Sequence, residues 1–178
     1  MNVWPPPKQP HTMNEFFRWL EATPLSIWTR ESTSVLAFPA ILSAHAIGMG
    51  LAAGVSGVIA LRLIGAAQTI PAGPLRSFGP VLWFGFWVNA GSGVLLLVAY
   101  PTKALTNPLF YVKLACIALA MTTFVAIRRR LDVQAPASDA VATGSLRWLA
   151  IVSLAAWVSA IFAGRLLAYT YHRLMVDF

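Results

Sequence analysis

Charged side chains are scarce in this sequence, and acidic ones are the scarcest. Of its 178 residues, 11% are charged and 58% are hydrophobic, whereas an average soluble domain carries roughly 25% charged residues. Six residues are acidic, and none lies inside a long apolar run. A proton relay built from buried carboxylates is therefore disfavoured, and the composition indicates that lipid surrounds most of the chain.

Cysteine is also nearly absent. The single cysteine, Cys116, excludes an intramolecular disulfide. The sequence has neither a glycine-rich phosphate loop nor a paired cysteine motif. These absences argue against the common chemistry of soluble enzymes, and the sequence alone assigns no enzymatic activity.

Four long apolar runs are what the sequence does contain. About 20 apolar residues in a helix cross roughly 30 Å of hydrocarbon, and none of the runs alternates as a barrel strand does. The sequence therefore predicts an all-α fold, an integral membrane four-helix bundle at 32–172 with a C-terminal tail at 173–178. The predicted spans are approximately 34–62, 79–100, 107–128 and 147–171.

Residues 1–31 form a different kind of segment. Its proline-rich start favours an extended arm, and Thr12 and Glu15 have the spacing of a capping box. Apolar residues then recur at helical spacing: Met13, Phe16, Phe17 and Leu20. We predict a short amphipathic helix that lies on the bilayer surface or against a partner subunit, two alternatives that the sequence leaves open.

The positions of the basic residues predict the orientation in the membrane. The net charge is +7, and arginines cluster at span ends and in two of the loops: Arg62, Arg76, Arg128, Arg129, Arg130 and Arg147. Short cytoplasmic loops are enriched in Lys and Arg. We therefore expect a bacterial inner-membrane protein with both termini in the periplasm. The triple arginine fits an anchor for lipid headgroups better than a nucleic-acid site, so we expect no nucleic-acid partner.

A few polar or sulfur-containing side chains lie at membrane depth. With a rise of 1.5 Å per residue, His45 lies roughly 15 Å into the first span. Counted in the same way, Asn89, Cys116 and Met121 reach a similar depth, and Arg165 lies slightly above it. We expect the first four side chains to be near neighbours.

The first span also carries a stripe of small residues at a spacing of four: Ala44, Gly48, Ala52, Ser56 and Ala60. Such a stripe usually lets helices approach closely in lipid. Gly48 and Ala52, however, lie beneath His45 on its own face, so they could instead leave room for a flat ring.

Three interpretations of His45 follow. In the first, it bonds to a backbone carbonyl, Asn89 or a serine and locks the bundle. In the second, it is an axial ligand of a b-type haem, with room made by Gly48 and Ala52 and a propionate neutralised by Arg165, although no second histidine lies at a suitable depth. In the third, His45, Cys116 and Met121 bind copper, because sulfur and imidazole ligands suit Cu(I).

Four short stretches carry a resemblance: ATPLSIWTRES, AHAIGMGLAAGVSGVIALRLIG, NPLFYVKL and AGRLLAY. In these, the chain resembles a family of small, largely uncharacterised bacterial inner-membrane proteins. That family is similar in architecture to copper-resistance-D-like and cytochrome b561-like proteins. The resemblance implies no established activity, but it does imply a set of characteristic positions: His45, Arg62, Asn107, Pro108, Lys113, Gly164 and Arg165.

The sequence thus predicts the membrane subunit of a redox system, with a haem b at His45. Two alternatives stay open: a non-catalytic anchor or assembly subunit that holds other membrane or periplasmic subunits, and a copper-handling membrane protein.

Overall fold

The computed structural model describes residues 11–69, 77–133 and 144–174, with side chains described for 15–69, 77–131 and 144–169. All regular structure in these ranges is helical. The helices are α1 (His11–Glu21), α2 (Pro24–Glu31), α3 (Phe38–Ile64), α4 (Gly79–Ala99), α5 (Pro101–Leu105), α6 (Pro108–Val133) and α7 (Gly144–Leu174). Three predicted features lie outside the described residues: the arm at 1–10, the side chains of Thr12 in the capping box and Met13 in the apolar face, and the tail beyond 174.

Four helices, α3, α4, α6 and α7, are long and apolar enough to cross a membrane. They correspond to the four predicted spans, and the predicted all-α membrane fold is confirmed. The protein is an integral, multi-pass membrane protein. The short helices α2 and α5 were not predicted, because each has too few residues to show a clear apolar period.

Prolines lie at the starts of three spanning helices, and a glycine follows the end of one. Pro39, Pro80 and Pro108 each lie in the first turn of a helix, where the missing N–H would have no intrahelical acceptor. The α3 helix ends at Gly65, whose φ of 102° lies in the left-handed region that favours glycine. Its N–H bonds back to the carbonyls of Leu61 and Arg62, so the last turn is satisfied without a side chain.

The bundle is built from two closely packed pairs of helices, α3 with α4 and α6 with α7, which α3 and α7 join. Apolar side chains from all four helices form one core: Ala52, Ile59, Leu82, Ala120, Met121, Phe124, Ile127, Leu146, Ala156 and Trp157. The α4 and α6 helices are not a closely packed pair over the described residues. A groove therefore separates them on one side of the bundle.

The stripe of small residues on α3 is a packing surface. A Cβ atom placed on Gly48 would lie 2.7 Å from the carbonyl oxygen of Gly85, and one on Gly85 would lie 2.6 Å from the Cβ of Leu51. About two turns beyond Gly48, the hydroxyls of Ser56 and Ser153 lie 3.1 Å apart and link α3 to α7. The backbones of α3 and α4 approach closely at Gly48 and Gly85 because neither glycine carries a side chain.

The two N-terminal helices lie against the end of the bundle where α4 finishes. The Ser26 hydroxyl donates to the carbonyl of Ala99 at 3.5 Å, and the Thr102 hydroxyl donates to the Glu21 carboxylate at 2.8 Å. On α1, Phe17 is buried while Phe16 and Trp19 are exposed. The predicted apolar face is therefore divided, with Phe17 packed on the protein and Phe16 facing outwards beside Trp19.

Candidate functional site

His45 lies seven residues past the start of α3, roughly 10 Å along the helix. Its Nδ1 atom is 3.0 Å from the backbone carbonyl oxygen of Asn89 and 3.2 Å from the Ser92 hydroxyl. A carbonyl oxygen can only accept a hydrogen bond, so the proton of the neutral ring is assigned to Nδ1. The lone pair of the ring is then on Nε2.

Asn89 and Ser92 on α4 complete the other half of this contact. The Asn89 side-chain amide donates to the backbone carbonyl of His45 at 2.8 Å, so each residue bonds the other's main chain. The Ser92 hydroxyl lies 2.6 Å from the carbonyl of Val88, to which it donates, and its oxygen is left to accept from His45. Both α4 side chains are buried, and their polar atoms have partners, as burial in an apolar medium requires.

Gly93 gives the imidazole its space. A Cβ atom at this position would lie 3.2 Å from the Cε1 atom of His45, which is closer than most real contacts of that kind. The ring of His45 therefore lies over the backbone of α4, between Asn89 and Gly93. A bulkier residue at position 93 would push the ring away from its acceptor.

The third helix of the site is α6, which contributes Lys113. Its Nζ atom lies 3.1 Å from Nε2 of His45, and an ammonium group can only donate, so Nε2 accepts. The stem of Lys113 runs past Gly164 of α7, where a Cβ atom would meet Cδ at 3.6 Å. We call His45, Asn89, Ser92 and Lys113 the polar cluster; its parts come from α3, α4 and α6, with α7 beside them.

The polar cluster contains the ammonium group of Lys113 within a membrane-spanning helix, where charged groups are rare. Lys113 lies five residues past the start of α6, and no acidic residue occurs in the apolar windows of the four spans. Among the described side chains, the hydrogen-bond partner of Lys113 is the imidazole of His45. An ionisable group within a span costs free energy, and such groups usually mark a functional site.

The structure brings some of the predicted site residues together and separates others. Asn89 is a direct partner of His45, as its depth indicated. Met121 is buried in the apolar core beside Phe124, and Cys116 is half-buried. No hydrogen bond within the described residues joins either sulfur to His45.

Arg165 is not part of the polar cluster. Its side chain is exposed, whereas the adjacent Gly164 faces the stem of Lys113. The cation beside His45 is therefore Lys113, which the resemblance names among its characteristic positions but which the sequence does not otherwise assign to the site. Its position was a usable signal, because Lys113 lies five residues into α6 and His45 lies seven residues into α3, which places the two at nearly the same level.

The resemblance also pointed to Asn107 and Arg62, and both have structural partners. The Asn107 side-chain oxygen accepts from the backbone N–H of Leu109 at 3.0 Å, so it caps α6. Arg62 donates to the carbonyl of Gln68 at 2.8 Å, just past the end of α3. Asn107 therefore fixes the start of the helix that carries Lys113.

A haem on His45 meets one favourable feature and two obstacles. The favourable feature is the Nδ1–H bond to a carbonyl, which is the usual way a metal-binding histidine is oriented. However, Nε2 already accepts from Lys113. In addition, a Cβ on Gly48 would lie 2.6 Å from the backbone nitrogen of Asn89, and Ala52 is buried in the core. The described arrangement does not fit a haem unless Lys113 withdraws and α3 separates from α4.

The copper site also stays a prediction. Within the described residues, no group of three or more His, Cys, Asp or Glu side chains is placed to hold a metal ion. The predicted ligands Cys116 and Met121 come from one helix, five positions apart, so they point in different directions from it.

Comparison of the chain with protein-family models, with curated proteins and with solved structures finds no match. The resemblance to copper-resistance-D-like and cytochrome b561-like proteins therefore stays a prediction.

Proposed function

We propose that this integral membrane protein is a membrane subunit of a redox system in the bacterial inner membrane, and that its polar cluster binds the head group of a membrane-soluble quinone. The observation that carries the proposal is the 3.1 Å contact between Nζ of Lys113 and Nε2 of His45 at the depth of the spans. The proposal concerns binding of the carrier, and the electrons would come from a partner subunit.

The hydrogen-bonding capacity of Lys113 supports this ligand. An ammonium group has three donors, and His45 accepts one of them. A quinone presents carbonyl oxygens that only accept, so it matches the remaining donors without adding a buried negative charge. Its oxygens also gain partial negative charge on reduction, which a nearby cation stabilises.

The position of the polar cluster supports the same ligand. His45 and Lys113 are half-buried, whereas neighbouring residues of α6, Tyr111, Val112 and Leu114, are exposed towards the surroundings of the bundle. A ligand that is itself dissolved in the bilayer could reach Lys113 from this side. Its apolar tail would stay in lipid while its head met the ammonium group.

The haem prediction is a second candidate, favoured by the tautomer of His45. Because Nδ1 donates to a carbonyl, Nε2 carries the lone pair that a haem iron would need. In this candidate, Lys113 would have to leave Nε2 and α3 would have to separate from α4. The chain's own residues would then orient the imidazole through Asn89 and Ser92.

The anchor interpretation is a further alternative, and α1 supplies an observation for it. The rings of Phe16 and Trp19 are stacked with centroids 6.0 Å apart and are both exposed. Exposed aromatic pairs suit either the bilayer interface or a partner subunit. Deleting residues 1–22 should release a co-purifying partner in this alternative, while unchanged co-purification of every partner would count against it.

A binding experiment distinguishes the first two candidates. Wild-type protein, Lys113→Met and the control Lys103→Met are purified in mild detergent, and their quinone content is measured after solvent extraction. We expect quinone in the wild type and the control and its loss in Lys113→Met. Equal quinone in all three proteins, or none in the wild type, would overturn the proposal.

Absorption spectra of the same samples test the haem candidate. A Soret band that His45→Ala abolishes would favour the haem, and a Soret band in Lys113→Met that exceeds the wild-type band would show that the ammonium competes for Nε2. Colourless, metal-free protein from haem-replete cells would exclude both the haem and the copper interpretations. Circular dichroism of each variant shows whether the helices remain.

A further inference from the structure

The groove between α4 and α6 lies at the opposite end of the bundle from the polar cluster. It consists of two adjoining cavities of about 580 Å³ and about 360 Å³, which share Trp83, Val125 and Arg129 in their walls. Because the same three residues line both, the cavities form one continuous depression. It extends along α6 from Met121 to Arg130, roughly 14 Å at 1.5 Å per residue.

The deeper part of the groove is apolar. Met121 and Phe124 form its inner wall and belong to the buried core of the bundle. Trp83 forms its outer wall and is 40% exposed. The groove is open because α4 and α6 do not pack closely over the described residues. A flexible hydrocarbon chain is suited to such a surface.

The other end of the groove is cationic. Arg128, Arg129 and Arg130 follow one another on α6 at this end. Gly79 at the start of α4 makes room for the first of them, since a Cβ there would lie 2.7 Å from an Nη atom of Arg128. Arg130 donates to the Ser145 hydroxyl at 2.9 Å, which fixes its position beside the groove.

Arg129 is the cation that faces both cavities. Its side chain is exposed, and no hydrogen bond or ion pair is found for it within the described residues. The acidic residues whose side chains are described, Glu15, Glu21 and Glu31, belong to α1 and α2 at the other end of the bundle, whereas Asp132, in the last turn of α6, lies outside the described side chains. A guanidinium group in this setting matches a phosphate, which it can bind through two parallel hydrogen bonds.

We infer that the groove between α4 and α6 is a binding site for an anionic phospholipid, with the phosphate on Arg129 and Arg130 and one acyl chain against Trp83, Met121 and Val125. Both the charge and the shape of the groove fit this lipid. The basic end receives the headgroup at the level of the interface, and the apolar length beyond it receives hydrocarbon. Basic sites between membrane helices commonly bind lipids in this way.

Native mass spectrometry of the full-length protein in detergent tests the inference. Delipidated protein is titrated with phosphatidylglycerol and, separately, with phosphatidylcholine of the same acyl chains. We expect tighter retention of phosphatidylglycerol, and we expect Arg129→Gln to weaken it by about tenfold, the loss of roughly one charge-assisted contact. Equal retention of the two lipids by wild-type protein would overturn the inference.

Two further variants sharpen the result. The control Arg147→Gln removes an exposed arginine of the same end that lies outside the groove lining and donates to the carbonyl of Ile64, and it should leave retention unchanged. Val125→Trp fills the groove and should weaken retention of both lipids. If Arg147→Gln acts as strongly as Arg129→Gln, the effect is a general surface charge and the inference fails.

A second copy of the chain is the competing occupant of the groove. Delipidated protein that elutes as a dimer, and that Val125→Trp converts to a monomer, would assign the groove to self-association and overturn the lipid inference. A monomer that binds phosphatidylglycerol with a one-to-one stoichiometry would support it. Circular dichroism spectra matching that of the wild type show that the variants still fold.

Discussion

Nζ of Lys113 lies 3.1 Å from Nε2 of His45, and the two residues come from helices that are not neighbours in the chain. This contact changes the interpretation of His45. Along the sequence, His45 is an isolated imidazole in an apolar run, whereas in the bundle both of its ring nitrogens have partners. The first interpretation, in which His45 helps to lock the bundle, is therefore compatible with a binding role for Lys113 in the same cluster.

The tautomer of His45 is the first prediction. In protein with ¹⁵N-labelled histidine, we expect a protonated Nδ1 and an unprotonated Nε2, because the carbonyl of Asn89 can only accept. Nitrogen chemical shifts in detergent micelles distinguish the two tautomers, and the variant His45→Gln identifies the signal. Lys113→Met should change the shift of Nε2 far more than that of Nδ1. A proton found on Nε2 would contradict the assigned hydrogen bonds.

Gly48 provides the second prediction. Gly48→Ala would place a methyl group 2.6 Å from the backbone nitrogen of Asn89, so α3 and α4 must separate. We expect a loss of about 1–3 kcal/mol in the free energy of unfolding, the usual range for overpacking. The matched control is Gly50→Ala, because a Cβ there meets nothing within 4 Å. Unfolding in mixed micelles with increasing SDS, followed by circular dichroism, measures both.

The outcome for Gly48 also tests the haem candidate. If the glycine leaves room for a ring, Gly48→Ala should be tolerated in cofactor-free protein and should impair cofactor binding. If it brings two backbones together, the substitution destabilises the protein whether or not a cofactor is present. The described contacts predict the second result.

The spanning helices could be predicted from sequence, whereas the set of residues that meet in the polar cluster could not. Apolar runs between Glu31 and Arg62 or between Arg76 and Lys103 are long enough to cross a bilayer, and helices are what the structure has there. The bounds differ by a few residues. The first span begins at Phe38 rather than at 34, because Pro39 suits the first helical turn.

Depth along a span indicates which residues share a level, but it does not indicate which of them touch. Asn89 meets His45 at the level that its position predicted. Lys113 lies five residues into α6 and His45 seven residues into α3, so their contact also agrees with their depths. Arg165 was expected near His45, yet its side chain is exposed. Counting residues fixes the depth of a side chain but not the direction in which it points.

The role of the small-residue stripe was equally undetermined by sequence. A spacing of four residues places Gly48, Ala52 and Ser56 on one face, but it does not identify what fills the space beside them. Gly85 and Ser153, from two other helices, fill it in the structure. That information lies in the pairing of helices, which no local pattern carries.

The third prediction concerns the contact between Ser56 and Ser153. Their hydroxyls lie 3.1 Å apart and both residues are buried. In a double-mutant cycle of Ser56→Ala and Ser153→Ala, we expect a coupling energy of about 0.6 kcal/mol, and no more than roughly 1.7 kcal/mol, as found for hydrogen bonds in membrane proteins. Exposed Ser159→Ala, combined with Ser56→Ala, is the additive control. A coupling indistinguishable from that control would mean that the hydroxyls do not bond.

The orientation of the protein in the membrane is the last prediction. Four spans place the N- and C-terminal sides of the bundle on one face of the bilayer, and the arginines near the ends of α3 and α6 lie at the other. Since short cytoplasmic loops carry the excess of Lys and Arg, we expect both termini in the periplasm. A C-terminal alkaline phosphatase fusion should be active in a Gram-negative host, and a fluorescent-protein fusion at the same point should stay dark.

Removal of positive charge makes this test sharper. Replacing Arg128, Arg129 and Arg130 together with glutamine removes much of the positive charge that we expect to hold this end on the cytoplasmic side. We expect a measurable fraction of molecules to invert, seen as lower phosphatase activity and new fluorescence at equal expression. Replacing Lys103 alone, at the other end, should not cause inversion, because it removes charge from the side predicted to be translocated. Full fluorescence and no phosphatase activity in the unmodified protein would place both termini in the cytoplasm and reverse the assignment.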